Sequence, residues 1–148
     1  MTRFFFVLLL ISGCLALLAG CAAMPQVTTL EGAEYDAAVT LVDPVADNVF
    51  AGMNEGDYAK FSSDFDVNMA KALNEKAFTE MMLTFNERIG KYQSREVTKV
   101  ERVDEVVVVY YAADFEKEQD VAVSVSVRES SPPQVAGLWF DSPKLREK

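Results

Sequence analysis

The chain has 148 residues, about the length of a single domain. Half of the residues are hydrophobic and 25% are charged, which is typical of a folded globular domain and excludes a disordered chain or a protein that crosses the membrane many times. The formal net charge of −9 disfavours nucleic-acid partners, and the sequence holds no histidine, the commonest general base and transition-metal ligand.

The first 20 residues are predicted to be a signal peptide. Arg3 precedes an almost continuous apolar stretch, Phe4 to Leu18, which at about fifteen residues is shorter than the ~20 that a membrane-spanning helix needs. The stretch closes on Leu18-Ala19-Gly20-Cys21, which resembles the lipobox of prokaryotic lipoproteins. The resemblance implies cleavage before Cys21 and a diacylglycerol thioether on its sulfur. The alternative is an ordinary signal peptide with an incidental cysteine.

The lipobox resemblance also implies where the protein resides. Lipid on Cys21, with fatty acyl chains such as palmitate, would anchor the domain to a bilayer in the cell envelope, outside the cytoplasm. Ala22 and Ala23 stand where an aspartate resembles an inner-membrane retention signal, which favours the outer membrane in a Gram-negative host. Because Cys14 leaves with the signal peptide, no thiol is left for a disulfide or a metal, and no cofactor is expected.

Residues 21–32 are predicted to be the lipidated cysteine and a tether, since they hold a proline, a glycine and no sustained period. Fully extended, the tether would reach about 35 Å and hold the domain clear of the lipid head groups. Apolar residues at steps of three and four follow, and predict a helix over 44–54 with Asp43 as N-cap and an earlier turn within 33–42.

Two more helices are predicted after the first. Asp57 caps a short one, and Asn74 caps a longer one that ends at Gly90. Apolar side chains of this half, together with a tryptophan near the C-terminus, are candidates to line a ligand pocket, with ordinary core packing as the alternative. These candidates are Tyr58, Phe78, Met81, Met82, Phe85 and Trp139. Trp139 is expected to be buried against the helices, on Phe85 or Met81, beside the space that Gly137 leaves.

The second half is predicted to be a meander of four antiparallel strands over 93–103, 106–115, 120–129 and 134–140, with a bulge between Val97 and Val100. The third strand alternates valine with small or polar residues, so one face is buried. The second strand is apolar on both faces, which predicts either a central position in the sheet or a second covering surface, such as a homodimer contact through the outer face of the sheet. Residues 143–148 are predicted to be a charged tail.

Helices followed by a meander indicate an α+β domain over 33–142. The runs Met53-Asn54-Glu55-Gly56-Asp57-Tyr58-Ala59-Lys60-Phe61, Asp64-Phe65-Asp66, Gly90-Lys91-Tyr92-Gln93-Ser94 and Val135-Ala136-Gly137-Leu138-Trp139-Phe140 resemble the domain of unknown function family 3887. That family is similar to the nuclear transport factor 2-like superfamily, which implies N-terminal helices packed on a curved antiparallel sheet to form a cone. The family has no established activity to carry over.

One stretch has the spacing of a calcium-binding loop. Asp64, Asp66, Asn68 and Glu75 match positions 1, 3, 5 and 12 of that loop. Met69, however, stands where the loop needs glycine. The alternative is that Asp66 caps a helix and Glu75 lies in the first turn of the next one.

The superfamily resemblance implies a catalytic carboxylate with a tyrosine or histidine deep in the cone. Asp114 and Tyr110 are the candidates, because residues four apart on a strand share a face. The sequence therefore favours a membrane-anchored, extracytoplasmic, non-enzymatic module that binds a small apolar ligand or a protein. The alternative is a cone-pocket lyase or isomerase that uses Asp114 and a tyrosine.

Overall fold

The computed structural model describes residues 25–147, so the signal peptide and Cys21 lie outside the described residues. The helices are α1 (Gly32–Glu55), α2 (Tyr58–Phe61), α3 (Val67–Ala72), α4 (Glu75–Arg88) and α5 (Pro143–Arg146). The strands are β1 (Val27–Thr29), β2 (Tyr92–Val103), β3 (Val106–Phe115), β4 (Glu118–Arg128) and β5 (Gln134–Asp141). No helix within 25–147 combines the length and hydrophobicity needed to cross a membrane.

The fold is α+β, as the sequence predicts, with helices followed by one open antiparallel sheet in the order β1-β2-β3-β4-β5. The sheet has five strands and not four. The additional strand, β1, comes from the predicted tether, and Val27 pairs with Val103 and Thr29 with Glu101 on β2. Valine and threonine favour extended backbone, and β2 offers them a free edge. Residues 27–29, within the predicted tether, therefore belong to the sheet.

Helix α1 is continuous through Pro44, so the prediction that it begins at Pro44 is wrong. Asp43 does not cap a helix, because it lies inside α1; its carboxylate accepts a hydrogen bond from the Tyr111 hydroxyl on β3, at 3.0 Å. A proline inside a helix costs about 3 kcal/mol. Burial of the α1 face that contacts the sheet, with Val42, Val45, Val49 and Phe50 almost inaccessible, offsets that cost.

The other helix boundaries follow the predicted caps. Asp57 accepts a hydrogen bond from the Lys60 backbone N–H, and Asn74 accepts from the N–H groups of Lys76 and Ala77. Gly90 follows α4 with φ +78°, a left-handed conformation that favours glycine. These predictions depend on local sequence alone, which explains why they are confirmed.

The two faces of the sheet differ. We call the face that packs on the helices the inner face; it carries Val121, Val123, Val125 and Val127 of β4, all buried. The opposite face, which we call the outer face, carries Ala122, Ser124, Ser126 and Arg128. The alternation predicted for β4 is confirmed. So is the bulge in β2, where the register shifts between Val97 and Lys99.

Aromatic rings fill the space between the helices and the inner face. Ring centroids are 4.1 Å apart for Phe50 and Tyr92, 4.5 Å for Phe61 and Phe78, and 5.2 Å for Phe85 and Phe140. Of the predicted pocket-lining side chains, Phe78 and Phe85 are buried in this core. The other helical ones, Tyr58, Met81 and Met82, pack against its border. These five therefore contribute to packing.

Trp139 is 64% exposed on the outer face, so the expectation that it packs on Phe85 or Met81 is wrong. The reason is a bulge that the sequence does not show. Ser126 pairs with Gly137 and Val127 pairs with Val135, which leaves Ala136 as an extra residue in β5. The extra residue moves Leu138 and Phe140 to the inner face and turns Trp139 outward.

The predicted charged tail is attached to the domain. The Arg88 guanidinium of α4 donates to the backbone carbonyls of Lys144 and Leu145 on α5, each at 3.1 Å. The Ser142 hydroxyl, which precedes α5, donates to the Glu118 carboxylate at 2.6 Å. Residues 143–146 therefore form a short helix that closes one end of the core.

Candidate interaction surface

The outer face of the sheet carries a row of side chains that runs across three strands. Tyr110 of β3 pairs with Ser124 of β4, and Ser124 pairs with Trp139 of β5. Beside this row lies a depression of about 260 Å³, which Thr98 and Ala122 also line. Small side chains between two aromatic ones create it. We call this row and its depression the tyrosine–tryptophan row.

The apolar surface continues from the row toward the turn between β2 and β3. A second, open depression of about 580 Å³ is lined there by Val106, Val108, Ser126 and Ala136, with the charged Asp104, Glu105 and Arg128 on its side toward the turn. Val108 is largely covered by its neighbours, and Val106 is half-buried. The residues that line the depression beside the tyrosine–tryptophan row are therefore uncharged, and charged residues begin toward the turn.

Charged side chains lie at the margin of this surface and are paired there. The Lys99 ammonium lies 2.9 Å from the Glu101 carboxylate and 4.3 Å from the centre of the Tyr110 ring. The Tyr110 hydroxyl donates to Glu101 at 2.9 Å. Lys99 lowers the pKa of Glu101, while burial raises the pKa of the Tyr110 phenol and Glu101 adds to that effect. An uncharged centre with a polar margin is the usual composition of a protein interface.

The candidate catalytic pair, Tyr110 and Asp114, shares a face, as the spacing predicts. That face is the outer one, because Tyr111 and Ala113, which lie between them in sequence and point to the opposite side, are buried under the helices. Asp114 accepts hydrogen bonds from the Ser94 hydroxyl at 3.2 Å and the Asp120 N–H at 3.3 Å. It borders a polar depression that does not include Tyr110. The two side chains therefore have separate partners and do not meet inside a cone.

The candidate calcium ligands have structural roles. Asp66 is buried and caps α3, where its carboxylate accepts from the N–H groups of Asn68 at 2.9 Å and Met69 at 2.7 Å. Those bonds, with Met69 first, and the nearby Arg128 lower the pKa of Asp66. Asp64 accepts from the Asn48 amide at 2.8 Å, and Glu75 lies in the first turn of α4. Within residues 25–147, no three acidic side chains lie close enough to hold a metal.

A cluster that the sequence analysis missed surrounds Arg95. Its side chain is only 12% exposed, and its guanidinium lies 5.2 Å from the Phe50 ring centre and 5.1 Å from that of Tyr111. It donates to Asp47 on α1 at 2.7 Å and to the Tyr92 hydroxyl at 3.2 Å.

Each polar group of the Arg95 cluster has a partner. Burial disfavours the charged form of Arg95, but the bonds to Asp47 and Tyr92 outweigh it and raise the pKa. Burial, with Asp43 adding to it, raises the pKa of Tyr111. The cluster joins α1 to the sheet. The one signal of this cluster in the sequence is an arginine within a predicted strand. Its acidic partners on α1 lie about 50 residues away in sequence, so no local spacing reveals them.

The comparisons with known proteins give one result. A family described as Protein of unknown function (DUF3887) matches residues 46–131, which span the C-terminal part of α1, helices α2 to α4 and strands β2 to β4. None of the curated proteins matches the chain.

Proposed function

The chain belongs to the DUF3887 family, and from that premise we propose that it is a membrane-anchored, extracytoplasmic lipoprotein whose domain is a non-enzymatic interaction module. We propose further that the tyrosine–tryptophan row binds a second copy of the chain. The fold class and element order also support membership of the nuclear transport factor 2-like superfamily, which we propose for the domain.

The observation that carries the proposal is the exposure of Trp139 in an uncharged setting. Large apolar side chains are normally buried, and an exposed aromatic residue within an apolar patch is characteristic of an interaction site. Tryptophan and tyrosine are also the residues that contribute most to binding energy at protein interfaces. Trp139 and Tyr110 lie on the same face, with only the small Ser124 between them in register.

A second copy suits this surface for two reasons. A two-fold contact uses the same patch on both partners, so the patch must be self-complementary. The tyrosine–tryptophan row carries both a projecting indole and a depression beside it, and its centre holds no charge that a twin copy would repel. Anchoring of both copies in one membrane would also raise their effective concentration.

Self-association tests the interaction module. We would produce the mature chain without its leader and with Cys21→Ser, and measure its mass by sedimentation equilibrium over a wide concentration range. The expected result is a monomer–dimer equilibrium that Trp139→Ser weakens at least tenfold. Leu83→Ser is the matched control, because Leu83 on α4 is 68% exposed and lies away from the sheet's outer face. A protein that stays monomeric throughout, or equal effects of the two variants, would contradict the proposal.

The lipid anchor is proposed from Leu18-Ala19-Gly20-Cys21, and its test is separate. Metabolic labelling with a fatty acid should mark the full chain at Cys21 and place it in the outer membrane of a Gram-negative host. Cys21→Ser should give an unlabelled, uncleaved precursor. Normal processing and membrane association of that variant would exclude lipidation.

A further inference from the structure

The chain is fixed to the sheet at Gln26, in the middle of the predicted tether of residues 21–32. The Asp104 N–H donates to the Gln26 carbonyl at 3.1 Å, and the Gln26 N–H donates to the Asp104 carboxylate at 3.1 Å. Asp104 lies in the turn between β2 and β3 with φ +53°, a conformation that aspartate tolerates better than most residues. Two reciprocal hydrogen bonds therefore hold the beginning of the described chain at this end of the sheet.

We infer that this end of the sheet, which we call the proximal end, faces the bilayer at short range. The inference rests on the proposed lipidation of Cys21. Only five residue steps separate Cys21 from Gln26, so the two can be at most about 18 Å apart, about half the 35 Å expected for the longer tether. Residues 21–26 therefore form a short linker between the lipid and the sheet, attached beside Asp104.

Strand directions identify what else lies at the proximal end. Val106, the first residue of β3, pairs with Arg128, the last residue of β4, so the connection between β4 and β5 is there too. The turn between β3 and β4 lies at the opposite, distal end. Since β3 has 10 residues, the two ends are separated by about 33 Å.

Charge does not draw the domain onto an anionic lipid surface. Both arginines at the proximal end are already paired, Arg102 with Glu129 and Arg128 with Asp66. They offer no free basic patch to anionic lipid. The chain as a whole has 23 acidic and 14 basic residues, so a negatively charged membrane repels the domain as a whole, and the short linker attached beside Asp104 decides which end stays close to the lipid.

The orientation also determines where the tyrosine–tryptophan row lies. Tyr110 is four residues along β3 from Val106, which places the row about 13 Å from the proximal end. The linker adds at most about 18 Å, so the row lies within about 31 Å of the lipid. Two copies in one leaflet would carry their rows at the same height and could meet side by side.

Energy transfer to the membrane tests the orientation. The acylated protein has no free thiol if Cys21 carries lipid, so a cysteine introduced by Glu105→Cys at the proximal end or Gln119→Cys at the distal end can be labelled alone. Both positions are exposed. The labelled proteins would be placed in vesicles of phosphatidylcholine with one-fifth phosphatidylglycerol and acceptor dye on the head groups. We expect at least twofold higher transfer efficiency from position 105; equal transfer, or more from 119, would overturn the inference.

A matched pair of variants tests the role of Asp104. Asp104→Gly removes only the carboxylate bond to Gln26; the backbone bond from residue 104 to Gln26 and the pairing of Val27 with Val103 remain, so transfer from position 105 should fall only slightly and stay above that from position 119. Asp120→Gly alters the other left-handed aspartate, φ +55°, on β4, and should change nothing. Failure of the wild-type protein to float with vesicles would contradict the lipid anchor. Flotation with equal transfer at both ends would contradict only the orientation.

Discussion

The inner and outer faces of the sheet differ most clearly within single strands. On β5, Phe140 points inward and contacts the rings of Phe50 and Phe85, while its neighbour Trp139 is exposed. On β4, four valines are buried on one side, and two serines, an alanine and an arginine face the other. Burial of a side chain in this sheet therefore depends on the face it occupies and not on its size. The inner face stabilises the fold, and the outer face carries large residues that stability does not explain.

The largest loss of stability should come from the centre of the inner core. Phe61 is completely buried, with its ring 4.5 Å from Phe78 and 5.1 Å from Phe65. Phe61→Ala should lower the free energy of unfolding by about 4 kcal/mol, as truncation of a buried aromatic typically does. Urea denaturation followed by circular dichroism measures it. A loss below about 1 kcal/mol would show that the packing around Phe61 is loose.

Two glycines allow a comparison of backbone contact on the two faces. A Cβ at Gly52 of α1 would lie 2.4 Å from the Phe61 backbone nitrogen, whereas one at Gly137 would meet only Ser126 at 3.4 Å. Gly52→Ala should cost about 3 kcal/mol through overpacking, although alanine favours helix. Gly137→Ala should change stability by less than about 0.5 kcal/mol. Thermal unfolding of both variants measures the difference. Similar midpoints for the two variants would contradict this prediction.

The Arg95 cluster should contribute less, because its acidic partners are partly exposed. Arg95→Ala removes the cation between Phe50 and Tyr111 and should cost about 2 kcal/mol. Arg95→Lys keeps the charge but cannot reproduce the planar stacking, and should recover only about half of that loss. Chemical denaturation gives both numbers. Full recovery by lysine would mean that charge alone matters at this position.

Asp66 should make the free energy of unfolding depend on pH in the acidic range. Its pKa is lowered in the folded protein, so its charge stabilises the native state fully above the ordinary value of about 4 and no longer does so once the pH falls below the lowered pKa. Asp66→Asn keeps a good N-cap but loses the ion pair with Arg128, and should cost about 1 kcal/mol at pH 7. The difference from wild type should shrink between pH 5 and pH 2 in urea titrations. A constant difference would assign the effect to something other than the charge.

The smallest effect on stability should come from the outer face. Trp139→Ala removes the largest side chain of the protein but exposes little that was covered, so the free energy of unfolding should change by less than about 0.5 kcal/mol. The measurement is best made at a concentration where the protein is monomeric. A loss of several kcal/mol would mean that the indole is part of the core.

The accuracy of the sequence predictions depends on how local each signal is. Strand limits, helix caps at Asp57 and Asn74 and the bulge in β2 follow from short-range patterns, and they are confirmed. β1 is only three residues long and shows no period, so only its partner β2 defines it. Trp139 was placed on the wrong face because the bulge at Ala136 reverses the alternation after Val135.

Two further misses have the same non-local origin. Tertiary burial keeps α1 helical through Pro44, where the local sequence predicts a beginning. Arg95 finds its partners on α1, far away in sequence, which no spacing along the chain reveals. The candidate surface itself was partly predicted: the apolar outer side of β3 indicated a covering partner, but the row that Trp139 completes required the fold.

Trp139 is the single tryptophan of the chain, so its fluorescence reports directly on whether the tyrosine–tryptophan row binds a second copy. If the tyrosine–tryptophan row binds a second copy, the indole becomes shielded from water on association. The emission of the acylated protein should then shift to shorter wavelength, and its quenching by acrylamide should fall at least twofold, as the protein density in vesicles rises. If the emission wavelength and the quenching remain those of an exposed indole at every density, the tyrosine–tryptophan row does not bind a second copy.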